Sequence, residues 1–225
     1  MQIQPLEQGN LSARAYVALR DGLIAGNFKP GQRLLMQDLA DQLGTSVTPV
    51  REACLRLVSE RGLELRSGRF VAIPDLTLSR YMEIRTVRMA LEGLAAELAT
   101  GNIDEMELER LSDTHARFEQ ADRAGASEVA IRLNREFHFI AYRLSRMEML
   151  ISHIESLWIS MGPILNVFYN ETTNDYIGAE EHVHLIDALR RRDRKKARVA
   201  IERDILRGGE SIIRFLNEKN ALSSA

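Results

Sequence analysis

Residues 30–57 read PGQRLLMQDLADQLGTSVTPVREACLRL, and this stretch decides the fold of the N-terminal part of the chain. Apolar residues recur at helical spacing over 36–43, Gly44 closes that helix, and the same spacing then continues to about Glu60. A tight turn therefore joins the two helices, and short polar and basic side chains occupy the start of the second. This pattern predicts a helix-turn-helix.

A further helix and a hairpin flank this motif. An amphipathic helix is predicted over 11–24, ahead of the motif. After it, short apolar stretches at 63–65 and 70–73 are separated by the residues RSGR, which indicates a hairpin with a basic, flexible tip. Three helices followed by a hairpin predict a winged helix-turn-helix.

The chain length and a break in the pattern predict two domains. At 225 residues the chain is long for one domain and comfortable for two. Pro74 and Asp75 interrupt the pattern of the first part. We expect a winged helix-turn-helix DNA-binding domain at 1–74 and an all-helical domain at 75–225.

The C-terminal part is predicted to be almost wholly helical, with Pro163 and a few glycines as interruptions. The expected fold is therefore mainly α, with an antiparallel helical bundle after the winged domain. The polar segment 169–177 is predicted to form a loop over a pocket. The helices are predicted at about 78–100, 104–124, 126–146, 147–168, 178–191 and 193–217.

Composition places the chain among ordinary globular proteins, with 45% hydrophobic and 28% charged residues. No apolar run reaches the roughly 18 residues that span a bilayer, and the start lacks the features of a signal peptide, so we expect a cytoplasmic protein without membrane contact. The net charge is −2, but residues 1–74 hold nine basic against seven acidic residues. The single cysteine, Cys54, is interpreted as a core residue.

The motif and the hairpin after it resemble the GntR family of bacterial transcription regulators. That family's PG-x-RL turn, LA-x-x-LG helix and TPVREA recognition helix occur here in order across about residues 11–74. The resemblance implies that Arg33 and Arg51 contact double-stranded operator DNA, with Thr48 near phosphates or base edges and Gly68 in a wing tip that enters the minor groove. Ser46 is expected near the major groove.

Val47 departs from the family, which commonly carries Arg at this position. An Arg–guanine pair provides roughly 1–3 kcal/mol of base discrimination, so the usual family operator is not expected here. Val47 could contact a thymine methyl group instead. The alternative for the motif as a whole is a packing role, with Arg33 and Arg51 in surface ion pairs.

The C-terminal part resembles the all-helical effector domain of the FadR-like branch of that family. The resemblance rests on IRTVRMALEGLAAEL at 84–98, LNREFHFIAYRLS at 133–145 and EEHVHLIDALRRRDRKKARVAIERDI at 180–205. In many members of that branch a carboxylate and three histidines bind a divalent metal, which helps to hold an effector that bears a carboxylate. The matching positions in this chain are Asn134, His138, His182 and Asp204.

These four residues offer two imidazoles, one carboxylate and one amide oxygen, a set that suits Zn²⁺, Ni²⁺ or Mn²⁺ with positions open to water or a ligand. Alternatively, the metal is lost and Asn134, His138 and His182 bind the effector directly, or they form a merely satisfied polar cluster. Arg88 could pair with an organic acid, or with Glu92 four residues later. His115, His153 and His184 are expected outside the site.

The residues together predict a homodimeric transcription regulator, most simply a repressor, that binds an operator with an approximate inverted repeat. A small carboxylate effector would change its affinity for DNA. One alternative is a metalloregulator in which the ion is the signal. Another is a metal-dependent enzyme, against which stands the lack of a motif such as H-E-x-x-H and the unexplained N-terminal half.

Overall fold

A computed structural model describes residues 11–171 and 179–223 of the chain. The N-terminal part consists of three helices and a small antiparallel sheet. In chain order its elements are α1 (Leu11–Ile24), β1 (Arg33–Leu35), α2 (Met36–Gln42), α3 (Val47–Ser59), β2 (Glu64–Ser67) and β3 (Phe70–Ala72).

The core of this part forms where α1, α2 and α3 pack on the sheet. Val50, Cys54 and Leu57 of α3 are completely buried, at the i, i+4 and i+7 spacing of an amphipathic helix. Arg51 and Thr48, which alternate with them, point to solvent. The winged helix-turn-helix predicted from the sequence is confirmed.

The sheet contains a strand that the sequence analysis did not predict. Its order is β1-β3-β2, so β1 lies beside the hairpin, with Leu34 opposite Val71. Gly31 adopts a positive φ of 75° and donates its N–H to the carbonyl of Ile73, which starts the pairing. A strand of only three residues that runs directly into α2 is too short for its alternating pattern to be recognised in a sequence.

The C-terminal part is entirely helical over the residues that the structure describes. The predicted mainly α fold with an all-helical second part is thereby confirmed. Its elements are α4 (Leu78–Ala99), α5 (Glu105–Arg123), α6 (Ser127–Arg143), α7 (Glu148–Glu171), α8 (Ala179–Arg190), α9 (Arg194–Gly208) and α10 (Glu210–Ser223).

Three details differ from the sequence prediction. The helix expected at 193–217 is two helices, α9 and α10, which meet at Gly209, where a Cβ atom would overlap the hydroxyl of Tyr81. The helix α7 continues through Pro163 without the interruption expected at this proline, in keeping with the single helix predicted over 147–168. The predicted loop at 169–177 begins as the end of α7, and the rest of it lies outside the described residues.

The two parts of the chain share a packed contact through α7. Ile159 of α7 is buried in the N-terminal core among residues of α1 and α3. Gly162, one turn further on, lies against the main chain of Leu23 in α1. The main C-terminal core is separate and consists of alanine, leucine, isoleucine and aromatic side chains from α4 to α9.

Within the described ranges, no helix combines the length and the apolar character needed to cross a membrane.

Candidate functional site: a winged helix and a buried polar cavity

The surface predicted to contact DNA lies on α3 and the hairpin. Ser46, Thr48 and Arg51 are exposed at the start of α3, and Gly68 is exposed at the tip between β2 and β3. A guanidinium nitrogen of Arg51 lies 3.8 Å from the place that a Cβ of Gly68 would take, so the helix and the hairpin tip adjoin.

Two other residues predicted at this surface are held by the fold. The guanidinium carbon of Arg33 lies 3.6 Å from the ring centroid of Phe70, the first residue of β3, and this cation–π contact orients the Arg33 side chain. Val47 is only partly exposed, because it packs against the N-terminal core.

Cys54 is a buried residue of the N-terminal core. Burial raises the pKa of its thiol to about 11, in keeping with the core role expected from the sequence.

A cavity lies in the C-terminal bundle, between α4, α6, α7, α9 and the start of α10. Arg88, Asn134, His138 and Asp204 supply its polar wall. Its free volume of about 60 Å³ suits an ion with a few waters or a small organic acid. The apolar wall consists of Tyr81, Trp158, Met161, Leu165, Phe168, Ile205 and Ile212.

Three of the predicted metal ligands meet beside this cavity. His138, His182 and Asp204 each place one ligand atom within 4.8 Å of those of the other two. Nε2 of His138 lies 3.3 Å from Oδ2 of Asp204, and Nε2 of His182 lies 3.8 Å from Oδ1. These residues come from α6, α8 and α9, so only the packing of the bundle brings them together.

The fourth predicted ligand, Asn134, lies one helical turn before His138 and also lines the cavity. Among the residues that the structure describes, its Oδ1 and both ring nitrogens of His182 are buried without a hydrogen-bond partner. Buried polar atoms are normally satisfied, so such a cluster calls for a bound group. Amide oxygen, imidazole nitrogen and carboxylate oxygen together fit a divalent cation.

Both site histidines are neutral. Burial lowers the pKa of His138 to about 3, and the nearby Arg88 acts in the same direction. Burial also lowers the pKa of His182, with smaller contributions from His138 and His115. A neutral imidazole keeps a lone pair on one ring nitrogen, which is the form that ligates metals.

Arg88 forms the buried ion pair with Glu92 that the sequence analysis held open as an alternative to ligand binding. Its Nε donates to Oε1 of Glu92 at 2.7 Å and its Nη2 to Oε2 at 3.1 Å. Trp158 donates to Oε1 at 3.2 Å and Tyr142 to Oε2 at 2.6 Å. Arg88 also lines the cavity, so its guanidinium faces both Glu92 and the site.

The sequence analysis missed Tyr142 as a member of this site and considered Glu92 only as a partner of Arg88. The hydroxyl oxygen of Tyr142 also lies 3.1 Å from Nδ1 of His138. Since Tyr142 follows His138 by four residues on α6, the spacing carried a signal, but the partner carboxylate on α4 could not be inferred. Burial, and then the charge of Glu92, raise the pKa of the Tyr142 hydroxyl, so it stays protonated.

The remaining histidines lie around the site or away from it. His115 is buried, and its ring centroid lies 5.4 Å from that of His182. Phe137 stacks on His182 with a centroid distance of 4.0 Å, which orients that imidazole. His184 is largely exposed and contacts Glu181, and His153 is exposed and contacts the carbonyl of Met149.

One helix contacts both the cavity and the winged domain. Trp158 and Met161 of α7 line the cavity, whereas Ile159 of the same helix is buried in the N-terminal core. Asn166 donates from Nδ2 to the carbonyl of Gly26 at 2.6 Å. A change in the cavity wall therefore has a direct packed path to α1.

An exposed winged helix-turn-helix joined to a helical bundle defines the class of DNA-binding transcription regulators. The comparisons with known proteins agree. Residues 11–73 match the family described as "Bacterial regulatory proteins, gntR family", and residues 83–207 match the FCD domain. The chain belongs to the GntR family of transcription regulators and carries an FCD domain.

Proteins of similar sequence bear the names of transcription regulators. The HTH-type transcriptional regulator McbR of Escherichia coli (strain K12) is 36% identical over 184 residues, covering 80% of this chain and 82% of that protein. A protein described as a probable D-xylose utilization operon transcriptional repressor, from Paenarthrobacter nicotinovorans, is 30% identical over 176 residues, with 78% and 77% covered. The solved structure of E. coli McbR/YncC has a TM-score of 0.83 and 32% identity, covering 95% of this chain and all of that one.

Proposed function

We propose that this transcription regulator is a homodimeric, cytoplasmic repressor whose affinity for its operator changes when a small organic acid binds to a divalent metal in the C-terminal cavity. The division of labour follows the chain. Residues 1–74 bind DNA, and residues 75–225 bind the effector and form the dimer. The proposal rests on three buried atoms that have no hydrogen-bond partner among the described residues: Oδ1 of Asn134 and the two ring nitrogens of His182. One of these, Nε2 of His182, lies 3.8 Å from Oδ1 of Asp204.

DNA binding is assigned to α3 and the hairpin tip. Arg51, Thr48 and Ser46 face the major groove, and Gly68 lets the tip approach the minor groove without a side chain. Arg33 contacts the phosphate backbone from beside Phe70, and Val47 contributes at most an apolar contact to a base. In support, Ser46, Thr48 and Arg51 are exposed at the start of α3, and Arg51 lies beside the hairpin tip at Gly68. Phosphate contacts position such a domain, and base contacts specify the sequence.

The metal is assigned to Asn134, His138, His182 and Asp204. When bound, the ion would accept an effector carboxylate as an additional ligand. The charges around the cavity favour this route over direct binding of the acid. Arg88 and Glu92 form a neutral pair and the two histidines are uncharged, so none of the described residues that line the cavity offers an unpaired positive charge to a carboxylate, whereas a divalent cation would.

Arg88 is assigned a second role at the effector. Its hydrogen bonds to Glu92 come from Nε and Nη2, so Nη1 can donate to the acid within the cavity. Together with Asn134, His138 and His182, it would orient the ligand. The acid should be small and carry a short apolar part, because the free volume is about 60 Å³ and Trp158, Met161 and Ile212 form an apolar wall.

The dimer presents two recognition helices to successive major grooves, and effector binding alters their relative position through α7. In support of this route, the neighbouring residues Trp158 and Ile159 of α7 pack in different places: Trp158 lines the cavity and Ile159 is buried in the N-terminal core. A coupling free energy of roughly 1–3 kcal/mol between the two sites is enough for regulation. Release from DNA on effector binding is the expected sign.

A titration of operator affinity tests the proposal. Fluorescence anisotropy with DNA from upstream of the protein's own gene is measured for chelator-treated protein, then with Zn²⁺, Ni²⁺ or Mn²⁺, then with small mono- and dicarboxylic acids added to each. We expect an acid to weaken DNA binding only when a metal is present. Equal responses without metal would support direct binding of the acid instead.

A second candidate, in which the ion itself is the signal, is favoured by the ligand atoms of His138, His182 and Asp204, which lie within 4.8 Å of one another. In that case metal alone changes the operator affinity, and no acid adds to the change. The same titration separates the two.

A further inference from the structure

The hydroxyl of Tyr142 has one proton to donate and lies within hydrogen-bond distance of two groups, the carboxylate of Glu92 and the imidazole of His138. Its oxygen is 2.6 Å from Oε2 of Glu92 and 3.1 Å from Nδ1 of His138. Tyr142 and Glu92 are completely buried and His138 is 1% exposed, so the direction of these hydrogen bonds is set by the three side chains and not by solvent.

The proton belongs to the contact with Glu92. That carboxylate is ionised, because it is paired with Arg88 through two hydrogen bonds. A hydrogen bond to a charged acceptor is shorter and stronger than one to a neutral acceptor, and 2.6 Å is the length expected for O–H···O⁻. Without a proton between them, the two oxygens would repel each other at this distance.

The consequence falls on His138. Since Tyr142 donates to Glu92, its oxygen can only accept from the imidazole, so Nδ1 of His138 carries the ring proton. The lone pair is then on Nε2, which lies 3.3 Å from Oδ2 of Asp204. Two acceptor atoms therefore face each other, an arrangement that a cation between them stabilises.

The other tautomer would have the opposite effect. A proton on Nε2 would let His138 donate directly to Asp204, and the pair would satisfy itself without an ion. The hydrogen bonds at Nδ1 of His138 therefore decide whether Nε2 is free to ligate a metal or is bonded to Asp204. In metal sites, a ligating histidine usually donates its other N–H to such an outer partner.

We propose that Glu92 and Tyr142 are positioning residues of the site: they hold His138 in the tautomer with the proton on Nδ1 and so keep Nε2 as a ligand atom facing Asp204. Trp158 and Arg88 keep Glu92 in place by donating to its Oε1. The inference deepens the proposed function, on which its role in metal binding rests, but the tautomer itself is independent of any metal.

Two measurements test it. Long-range ¹H–¹⁵N correlation spectra of ¹⁵N-labelled, chelator-treated protein report which ring nitrogen is protonated, and the spectrum of His138→Gln assigns the His138 signals. We expect protonated Nδ1 in the parent protein and protonated Nε2 in Tyr142→Phe. Calorimetric titration with Zn²⁺ should show a dissociation constant about 10–100-fold higher for Tyr142→Phe.

Tyr16→Phe is the matched control. Its hydroxyl also donates to a glutamate, Glu60, but in the N-terminal part of the chain, so the control should change neither the tautomer nor the Zn²⁺ affinity. Glu92→Gln is a second test, because it weakens the acceptor that holds the proton of Tyr142. We expect the same change of tautomer, and circular dichroism shows whether each variant is folded.

The outcomes separate this inference from the proposed function. A proton on Nε2 in the parent protein, or an unchanged tautomer and Zn²⁺ affinity in Tyr142→Phe, would overturn the positioning role. A parent protein with the expected tautomer but no Zn²⁺ binding would overturn the proposed metal site and leave the assignment of the tautomer standing.

Discussion

Gly162 of α7 touches the main chain of Leu23 in α1 so closely that a Cβ atom on Gly162 would overlap the carbonyl oxygen of Leu23. The contact joins two backbones and leaves no side chain between them to yield. Because α7 also lines the cavity, this contact lies on the packed path from the cavity to the winged domain.

Gly162→Ala should therefore push α7 away from α1. We expect a loss of about 1–3 kcal/mol in the free energy of unfolding, the usual cost of overpacking, and a weaker response of operator binding to the effector. Urea denaturation and anisotropy titration measure the two. Gly101→Ala is the control, since its added methyl would meet only an ordinary contact at 3.6 Å with the carbonyl of Leu98.

Arg51→Ala should lower operator affinity by about 1–3 kcal/mol, or roughly 5- to 150-fold, because the guanidinium is exposed at the start of α3. Anisotropy at several salt concentrations measures the loss. Arg123→Ala is the control, because that side chain is 76% exposed at the end of α5, away from the winged domain. An unchanged affinity in Arg51→Ala would contradict the assignment of α3 as the DNA-reading helix.

Val47→Arg should alter which operator is preferred. The added guanidinium could form a bidentate contact with guanine, worth about 1–3 kcal/mol of discrimination. Selection of binding sites from a random DNA pool, for the parent and the variant, should show a guanine enriched at one symmetric pair of positions only for the variant. Since Val47 packs partly on the core, melting temperatures must be compared first.

His182→Ala should abolish stabilisation by metal. A ligand present at 100 times its dissociation constant stabilises the folded state by about 2.7 kcal/mol, so Zn²⁺ or Ni²⁺ should raise the melting temperature of the parent protein and not of the variant. His153→Ala, which removes an exposed histidine of α7, should behave like the parent. The same rise in His182→Ala would place the metal elsewhere.

The thiol of Cys54 should be unreactive in the folded protein. With its pKa raised to about 11, the thiolate is scarce in the folded state at pH values where an unfolded thiol, with a pKa of about 8.5, is already ionised. Burial of the neutral thiol therefore contributes fully to the free energy of unfolding below about pH 8.5, where the thiol is protonated in both states. This contribution is lost as the pH rises from there towards 11, because the unfolded thiol ionises first. Alkylation rates with and without urea, followed by mass spectrometry, check this expectation.

Local patterns in the sequence were sufficient for the helix-turn-helix, because its turn at Gly44 and its apolar spacing both lie within about thirty consecutive residues. The same is true of Asn134 and His138, which share a helix face at a separation of one turn. The strand β1 was missed because three residues carry no clear period. At Gly209 the tertiary structure shows why a glycine stands between α9 and α10, since a Cβ atom there would overlap the hydroxyl of Tyr81 from another helix.

Only the tertiary structure decided how the site is completed. His138, His182 and Asp204 come from three helices, and their convergence depends on how α6, α8 and α9 pack. The pairing of Glu92 with Arg88, Tyr142 and Trp158 joins residues up to 66 positions apart. Spacing along one helix is set by the backbone hydrogen bonds of that helix, whereas a contact between helices is set by the fit of whole surfaces, which short stretches of sequence do not encode.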